Sequence, residues 1–398
     1  MRTVGIVCEF NPFHRGHLYL IEEVRRRIGS ETTVVCAMSG DFVQRGEAAV
    51  FDKFTRAEAA CRCGADLVLE LPLPWCLSSA EGFASCAIAM LTAAGCDTIA
   101  FGSESGEENA LERLAAFSMD PLMLAAVYRL MDADDTLSFA RARQQTAAET
   151  LGPVAALLSD PNDILAVEYI KAIKKSGAAM STLAVRRRGS RHDSLDGEGF
   201  CSAMQLRKRI ERGEAFSAAV PPEAMAAYTR ENEAGRVIDR ARLEIAILSR
   251  LCSKVPADFE RLPDAGGGAG ARLFKAIRAG GTLEEIARDA TAKRYTTARM
   301  RRMLLCAALG ISQEDTEGGP PWLRVLAADE KGRALLHGRR DAPELPIITK
   351  PAAVRMLDER SQHLFDLGSQ AHDLYSLCCT GSSGFKPDQD WRTAPSIV

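Results

Sequence analysis

Two histidines that follow a short apolar segment have the spacing of a phosphate-binding pair. His14 and His17 come after the run Thr3–Cys8, which reads as a buried strand, and after a break at Pro12. Their spacing of three residues places both side chains on one face of a first helical turn. A helix start offers free backbone N–H groups and the positive end of a dipole, which favour phosphate. Gly16 removes a side chain where a nucleotide would approach closely. The same residues also fit a second interpretation, as ordinary polar residues at a helix start.

The elements around this pair alternate between strand and helix patterns. Helical patterns cover Asp52–Cys63 and Ser79–Ala94, and they separate most of the predicted strands. Those strands are Thr3–Cys8, Thr32–Met38, Asp66–Leu71, Asp97–Phe101 and Met180–Val185. The alternation predicts an α/β fold with a parallel, doubly wound sheet and right-handed crossovers.

Three polar segments directly follow predicted strands, and ligands in such sheets bind at the carboxyl ends of the strands. We therefore expect Glu9–His17, Ser39–Glu47 and Gly102–Glu104 to lie close together. The Ser39–Glu47 segment is either a simple surface loop or a site loop in which Arg45 meets an anionic substrate or a triphosphate. Gly102 is either a turn glycine or a point where a ligand approaches the backbone.

Two later segments carry similar alternatives. Asn162 and Asp163 open a predicted helix, where either residue fits an N-cap. The run Arg186–Arg191 leaves the fifth predicted strand, and guanidinium groups suit bidentate contacts with phosphate. A salt-bridged surface patch is the other interpretation of that run.

Composition places the chain among globular proteins. The hydrophobic content of 46% and the charged content of 26% are typical of globular proteins. The length of 398 residues predicts two or three domains. The net charge of −3 does not itself indicate nucleic-acid binding, although a local basic surface is compatible with it. The 12 cysteines are scattered and form no CxxC pair, so we predict no zinc site. We find no signal peptide and no uninterrupted apolar run of membrane-spanning length, and therefore expect a cytoplasmic protein without a membrane partner.

The second half of the sequence reads as mostly helical after a boundary at Pro221–Pro222. The segment Lys293–Arg302 carries five positive charges and no negative one. Its apolar residues supply a core side, which leaves three arginines to point outward. This pattern predicts either an RNA-backbone face or a simply solvated helix. The segments Leu323–Leu326 and Leu345–Lys350 predict a small additional αβ element, and the chain from Gly381 onward is rich in Gly, Ser and Pro.

The motif His14-Arg15-Gly16-His17 after a first strand resembles the HxGH signature of the nucleotidylyltransferase superfamily. A longer context is more specific, because it combines GIVCEFNPFH from Gly5 with MSGDFVQRGE from Met38. Together these segments resemble the bacterial tRNA(Met) cytidine acetate ligase family over nearly the whole chain. The resemblance implies an HxGH nucleotidylyltransferase-like Rossmann variant followed by a mostly helical RNA-binding domain. The implied divisions are a catalytic domain at 1–220 with a helical insertion at about 107–160, a tRNA-binding domain at 221–380, and a flexible tail at 381–398.

The activity implied by the resemblance is an ATP-dependent ligation in two steps. Acetate and ATP give acetyl-adenylate, and the acetyl group passes to N4 of the wobble cytidine of elongator tRNA(Met). Mg²⁺ would bridge the triphosphate, without a dedicated protein metal site. The alternatives are an adenylyl- or cytidylyltransferase acting on a small phosphorylated metabolite, and a non-catalytic nucleotide-dependent RNA-binding protein.

The resemblance also implies site residues, with His14 and His17 in the catalytic role. The implied ATP-binding residues are Val7, Cys8, Glu9, Phe10, Asn11, Pro12, Phe13, Arg15, Gly16, Leu18, Tyr19, Leu20, Gly102, Asn162, Arg187 and Arg188. The implied substrate or phosphate loop contains Ser39, Gly40, Asp41, Gln44 and Arg45. The implied RNA contacts are Lys293, Arg294, Arg299, Arg301 and Arg302.

Overall fold

A central, mainly parallel sheet organises the chain. The structure is a computed structural model, and it describes residues 2–134, 136–187, 203–339, 344–381 and 385–398. The strands are β1 Thr3–Cys8, β2 Thr33–Ser39, β3 Phe42–Val43, β4 Glu47–Ala48, β5 Leu67–Leu71, β6 Thr98–Ser103, β7 Ser181–Arg186, β8 Leu323–Ala328, β9 Ile347–Ile348 and β10 Ser396–Ile397.

Helices cover both faces of this sheet and build most of the second half of the chain. Those before residue 187 are α1 Arg15–Ile28, α2 Lys53–Arg62, α3 Ala80–Ala93, α4 Glu108–Met119, α5 Pro121–Ala133, α6 Phe139–Leu151 and α7 Pro161–Ser176. The later ones are α8 Ala203–Glu211, α9 Pro222–Glu233, α10 Arg240–Cys252, α11 Pro256–Glu260, α12 Ala269–Ala279, α13 Leu283–Ala290, α14 Thr297–Leu309, α15 Glu330–His337, α16 Glu359–Leu377 and α17 Gln389–Arg392.

The strand order confirms the predicted doubly wound sheet. The order is β10-β8-β5-β2-β1-β6-β7, and every neighbouring pair is parallel except β5 with β8. Strand β2 is buried on both faces, because Val35 and Ala37 join one core while Val34, Cys36 and Met38 join the other. Burial on both faces explains why such strands read as continuous apolar runs rather than alternating ones.

The second half of the chain contributes to the same sheet. Strand β8 pairs antiparallel with β5, with Leu67 opposite Ala328, and β9 and β10 both pair with β8. The predicted small additional αβ element is present as β8, α15 and β9, and its strands extend the central sheet. The division at residue 220 stays a prediction, and strands from both sides of it share one sheet.

The chain's end also differs from the prediction of a flexible tail. Residues 385–398 include α17 and β10, and Asp390 is fully buried. Its carboxylate contacts Lys53 Nζ at 2.6 Å and an Arg324 nitrogen at 2.9 Å. Glu70 accepts from the same two cations, at 2.8 Å in each case. A segment predicted to be flexible therefore packs here, because one of its carboxylates completes a buried ion cluster.

The predicted helical insertion is present as α4, α5 and α6. The chain turns between α4 and α5 at Asp120, which caps α5, and Pro121 occupies the first helical position. Among the residues described, no single helix is long and apolar enough to cross a membrane. In the same described ranges, α4 and α5 taken together have the length and composition of a membrane span, and the pair is bent by 72°.

Candidate active site

The loop after β1 presents the two histidines at the start of α1. His14 is the N-cap residue, and its Nδ1 accepts from the Gly16 N–H at 3.0 Å. His17 reaches back, and its Nδ1 accepts from the His14 N–H at 3.2 Å. This reciprocal pair is a capping box built from imidazoles. A Cβ atom at Gly16 would lie 2.9 Å from His14 Cε1, so the glycine makes room for the ring.

Stacking fixes the two rings. The ring centroids of His14 and His17 lie 3.8 Å apart with an interplanar angle of 20°. Phe10 and Phe13 support the His17 ring at 4.9 Å and 5.5 Å between centroids. Both histidines are therefore held in one orientation before any ligand binds.

Both histidines are neutral in the free protein. Burial and the nearby Arg187 lower the pKa of His14 to about 3. Burial, His14 and Arg187 together hold the pKa of His17 well below its usual value. Since each Nδ1 accepts a backbone N–H, the single proton of each ring is on Nε2. Within the described part of the chain neither Nε2 has a hydrogen-bond partner, so the pair offers two free N–H donors.

A cavity of about 280 Å³ lies beside this pair at the carboxyl ends of the strands. The predicted site residues that line it are Val7, Cys8, Glu9, Phe10, Asn11, His14, Gly16, His17, Tyr19, Leu20, Gln44, Arg45, Gly102, Asn162 and Arg187. The structure thus brings together residues from all three segments that the strand ends were expected to group.

Other predicted residues do not line the cavity. Phe13 donates its backbone N–H to the Tyr228 hydroxyl at 2.8 Å, and Arg15 donates to the Ala218 carbonyl at 2.9 Å. The rest of this group is Pro12, Leu18, Ser39, Gly40 and Asp41. Arg188 lies outside the described residues.

Asp41 is a structural residue in this fold. One carboxylate oxygen accepts the Lys53 N–H at 2.9 Å, and the other lies 2.8 Å from His372 Nδ1. Burial raises the pKa of Asp41, but His372 and Lys53 outweigh that effect and lower it to about 2. Burial has the opposite effect on His372 and lowers its pKa, but Asp41 and Asp390 outweigh burial and raise the pKa to about 9. This buried ion pair fixes the base of the loop that carries Gln44 and Arg45.

One buried arginine holds the two site loops against each other. Arg56 is fully buried, and it donates to the carbonyls of Glu9, Ser39, Gly40 and Phe51. Four carbonyls from three segments therefore converge on one rigid guanidinium. Sequence reasoning missed Arg56, since a charged residue within a predicted amphipathic helix looks like a solvated one.

The β6 end and α7 form the opposite wall. Asp163 is fully buried and accepts from the Ser103 hydroxyl and from the backbone N–H groups of Glu104 and Ser105. The N-cap of α7 is Asp160 rather than Asn162 or Asp163, because Pro161 occupies the first helical position. Asp163 is thereby released to fix the β6 loop, and Asn162 faces the cavity with its amide donating to Glu104.

The cavity also has lining residues that were not among the predicted site residues. They are Ile6, Phe83, Phe101, Leu165, Tyr169, Val185, Ala203, Gln205 and Arg207. Arg207 donates to the Asn11 carbonyl at 3.1 Å, which places α8 over the β1–α1 loop. The sequence signal that could have found Arg207 is its place in the basic stretch Arg207–Arg212.

The basic helix α14 is only partly as predicted. Arg302 is buried with its guanidinium 3.6 Å from the Asp264 carboxylate, so the expectation that it points outward is wrong. Arg301 pairs with Glu284 at 2.7 Å, and Arg299 donates to the carbonyls of Asp264 and Gly266. Arg302 adjoins Met303 on the packed side of the helix, and Asp264 compensates its charge. Lys293 and Arg294 are exposed.

Comparisons with known proteins agree with this geometry. The family described as HIGH Nucleotidyl Transferase matches residues 1–390. A tRNA(Met) cytidine acetate ligase of Syntrophotalea carbinolica is 34% identical and covers 99% of this chain and 98% of its own. The corresponding ligase of Caldanaerobacter subterraneus is 35% identical over 95% of each chain. The chain therefore belongs to the HIGH nucleotidyl transferase family, among the tRNA(Met) cytidine acetate ligases.

Solved structures show the same fold. The apo crystal structure of TmcAL from Thermotoga maritima superposes with a TM-score of 0.93 at 29% identity. The structure of TmcAL bound with alpha-thio ATP has a TM-score of 0.91 at 30% identity. Both comparisons cover 100% of each chain.

Proposed function

We propose that this protein is an ATP-dependent ligase that acetylates N4 of the wobble cytidine of elongator tRNA(Met), in the cytoplasm. The observation that carries the proposal is the neutral, stacked pair His14 and His17, whose free Nε2–H groups adjoin a cavity rimmed by arginines. The names of the relatives and the bound nucleotide analogue in TmcAL support the same activity.

The first step joins acetate to AMP. A carboxylate oxygen attacks the α-phosphorus, the bond to the bridging oxygen breaks, and pyrophosphate leaves with the electron pair. Negative charge grows on the phosphoryl oxygens in the transition state. Two neutral N–H donors held in place by capping and stacking stabilise that charge without any proton transfer. Arg187, which lowers the pKa of both histidines through its charge, supplies a cation next to them.

The second step releases AMP. The cytidine N4 amine attacks the carbonyl carbon, the bond from that carbon to the phosphate oxygen breaks, and N4 gives up one proton to solvent. A cytosine amine is a weak nucleophile, which is why the carboxylate is activated first. Among the described residues, no group of three His, Cys, Asp or Glu side chains is arranged to hold a metal. Mg²⁺ would come with the triphosphate, and no step is assigned to it.

The direct test combines the protein with ATP, isotope-labelled acetate and an elongator tRNA(Met) transcript. Mass spectrometry of the digested nucleosides is expected to show labelled N4-acetylcytidine. A transcript with uridine at the wobble position is the matched control, since it lacks the N4 amine. Pyrophosphate release that does not depend on acetate but requires a phosphorylated metabolite would instead establish a nucleotidylyltransferase that acts on small molecules.

We propose the RNA contacts for the turn that precedes α14, where Lys293 and Arg294 are exposed. Replacing both with alanine is expected to raise the KM for tRNA about 10-fold or more, because each lost phosphate contact weakens binding. The KM for acetate in acetate-dependent ATP–pyrophosphate exchange should stay unchanged. Arg113→Ala, an exposed change on α4, serves as the charge control. An unchanged KM for tRNA would mean that the RNA binds to another surface of the protein.

A further inference from the structure

Among the described residues, Asn11 in the cavity wall carries a buried side-chain donor that has no partner. Asn11 is 3% exposed, and its side-chain oxygen accepts the Val50 N–H at 2.9 Å. This bond fixes the amide plane, and within the described part of the chain Nδ2 makes no hydrogen bond. A buried donor without a partner is costly, and Asn11 lines the cavity. The free amide therefore indicates an acceptor atom that arrives with a ligand.

A guanidinium is fixed next to this amide. Arg207 donates to the Asn11 carbonyl at 3.1 Å, and its other terminal nitrogen lies 3.9 Å from the Glu47 carboxylate. Its side chain is 13% exposed and lines the same cavity. Only one of its five N–H donors is used in a hydrogen bond among the described residues, so the planar fork remains available for an anion.

Three arginines line the cavity, Arg45, Arg187 and Arg207, and the last two reach it from different elements. Arg187 follows β7 and packs at Gly102, where a Cβ atom would lie 3.4 Å from its Cγ, whereas Arg207 on α8 donates to the Asn11 carbonyl of the β1–α1 loop. The charge of Arg207 also acts on Glu9, next to the Asn11 loop. An in-line displacement needs the attacking and leaving oxygens on opposite sides of the α-phosphorus. Arg187 and Arg207, which lie on different elements, are thus placed to hold separate anions, the triphosphate and the carboxylate that attacks it.

We propose that Arg207 and the Asn11 amide form the carboxylate subsite, in which acetate is held for attack on ATP. This inference rests on the proposed function and goes beyond it by assigning the second substrate to named side chains. Arg207 binds the carboxylate and Asn11 Nδ2 donates to one of its oxygens. The remaining oxygen faces the α-phosphate, where the new bond forms as pyrophosphate leaves. Arg187 belongs to the nucleotide.

The test uses steady-state ATP–pyrophosphate exchange with acetate, which needs no tRNA in the assay. Arg207→Gln is expected to raise the KM for acetate about 10- to 100-fold, because it removes a charge-assisted contact, while the KM for ATP changes less than about 2-fold. Asn11→Asp keeps the acceptor for the Val50 N–H but places a negative charge at the subsite, so it should act in the same direction. Lys208→Gln, an exposed change on the same helix, is the matched control.

The outcomes separate the two proposals. If the wild-type protein shows no acetate-dependent exchange, the proposed function itself fails. If the wild type is active but Arg207→Gln raises the KM for ATP as much as that for acetate, Arg207 is a nucleotide ligand and the subsite is overturned. Unchanged KM values for acetate in both variants overturn it as well. If Arg207→Gln fails to fold, Asn11→Asp decides the matter, with its thermal unfolding midpoint recorded beside the kinetics.

Discussion

Replacing His17 with alanine is expected to lower kcat for acetate-dependent pyrophosphate exchange about 100- to 1000-fold. The change removes one fixed N–H donor from the phosphoryl group in the transition state, and losses of such donors have this size. The ring is neutral, so its loss removes a hydrogen bond rather than a full charge from the bound triphosphate. The KM for ATP should therefore change much less than kcat.

His17 also stabilises the start of α1, and this second role needs its own control. Its Nδ1 accepts the His14 N–H in the capping box. His17→Gln places at the same helical position a side chain that commonly makes this bond, but it lacks the imidazole Nε2–H. We expect His17→Gln to recover thermal stability relative to His17→Ala without recovering kcat. If His17→Ala keeps kcat within a few-fold of the wild type, the proposed role of the pair in the first step is wrong.

The histidine site was predictable because all its parts are local. A strand, a proline break and a helix start lie within a few residues, and the capping bonds join positions two or three apart. Parallel-sheet geometry then places the other strand ends beside it. The predicted alternation of strands and helices was enough to place Gly102 and Arg45 at the same cavity.

Contacts distant in the sequence were not predictable in the same way. Arg207 meets the Asn11 carbonyl across 196 positions, and His372 meets Asp41 across 331. Neither pairing leaves a periodic or compositional signal. Asp41 consequently looked like a site residue in a polar loop, although its carboxylate is used within the protein. Only the packed chain shows which polar residues remain free for a ligand.

The close packing of the backbone at Gly46 against α14 is another constraint that the sequence did not show. Gly46 has φ of +77°, and a Cβ atom there would lie 2.7 Å from the Arg302 backbone nitrogen. The turn that carries Arg45 thus packs directly on α14, the helix predicted to contact RNA. Glu47 in the same turn lies 3.7 Å from Arg301 and 3.9 Å from Arg207. Helix α14 therefore packs against the loop that lines the cavity, and Glu47 in that loop lies between Arg301 of α14 and Arg207 of α8.

Replacing Asp390 with alanine is expected to lower the free energy of unfolding by about 3–5 kcal/mol, the cost of breaking a buried ion pair from one side. The change leaves Lys53 and Arg324 in the core with Glu70 as their one remaining carboxylate partner in the cluster. Urea denaturation monitored by circular dichroism measures the decrease in the free energy of unfolding. Glu31→Ala, which breaks an exposed pair with Lys331, is the matched control and should cost a small fraction of that value.

A second variant tests the cause. Adding Lys53→Met to Asp390→Ala removes one of the two cations that then share Glu70 alone, so the double variant should be less destabilised than the sum of the two single changes. If Asp390→Ala costs no more than Glu31→Ala, the chain's end does not complete the core. The conclusion that residues 385–398 pack stably against the sheet would then be wrong.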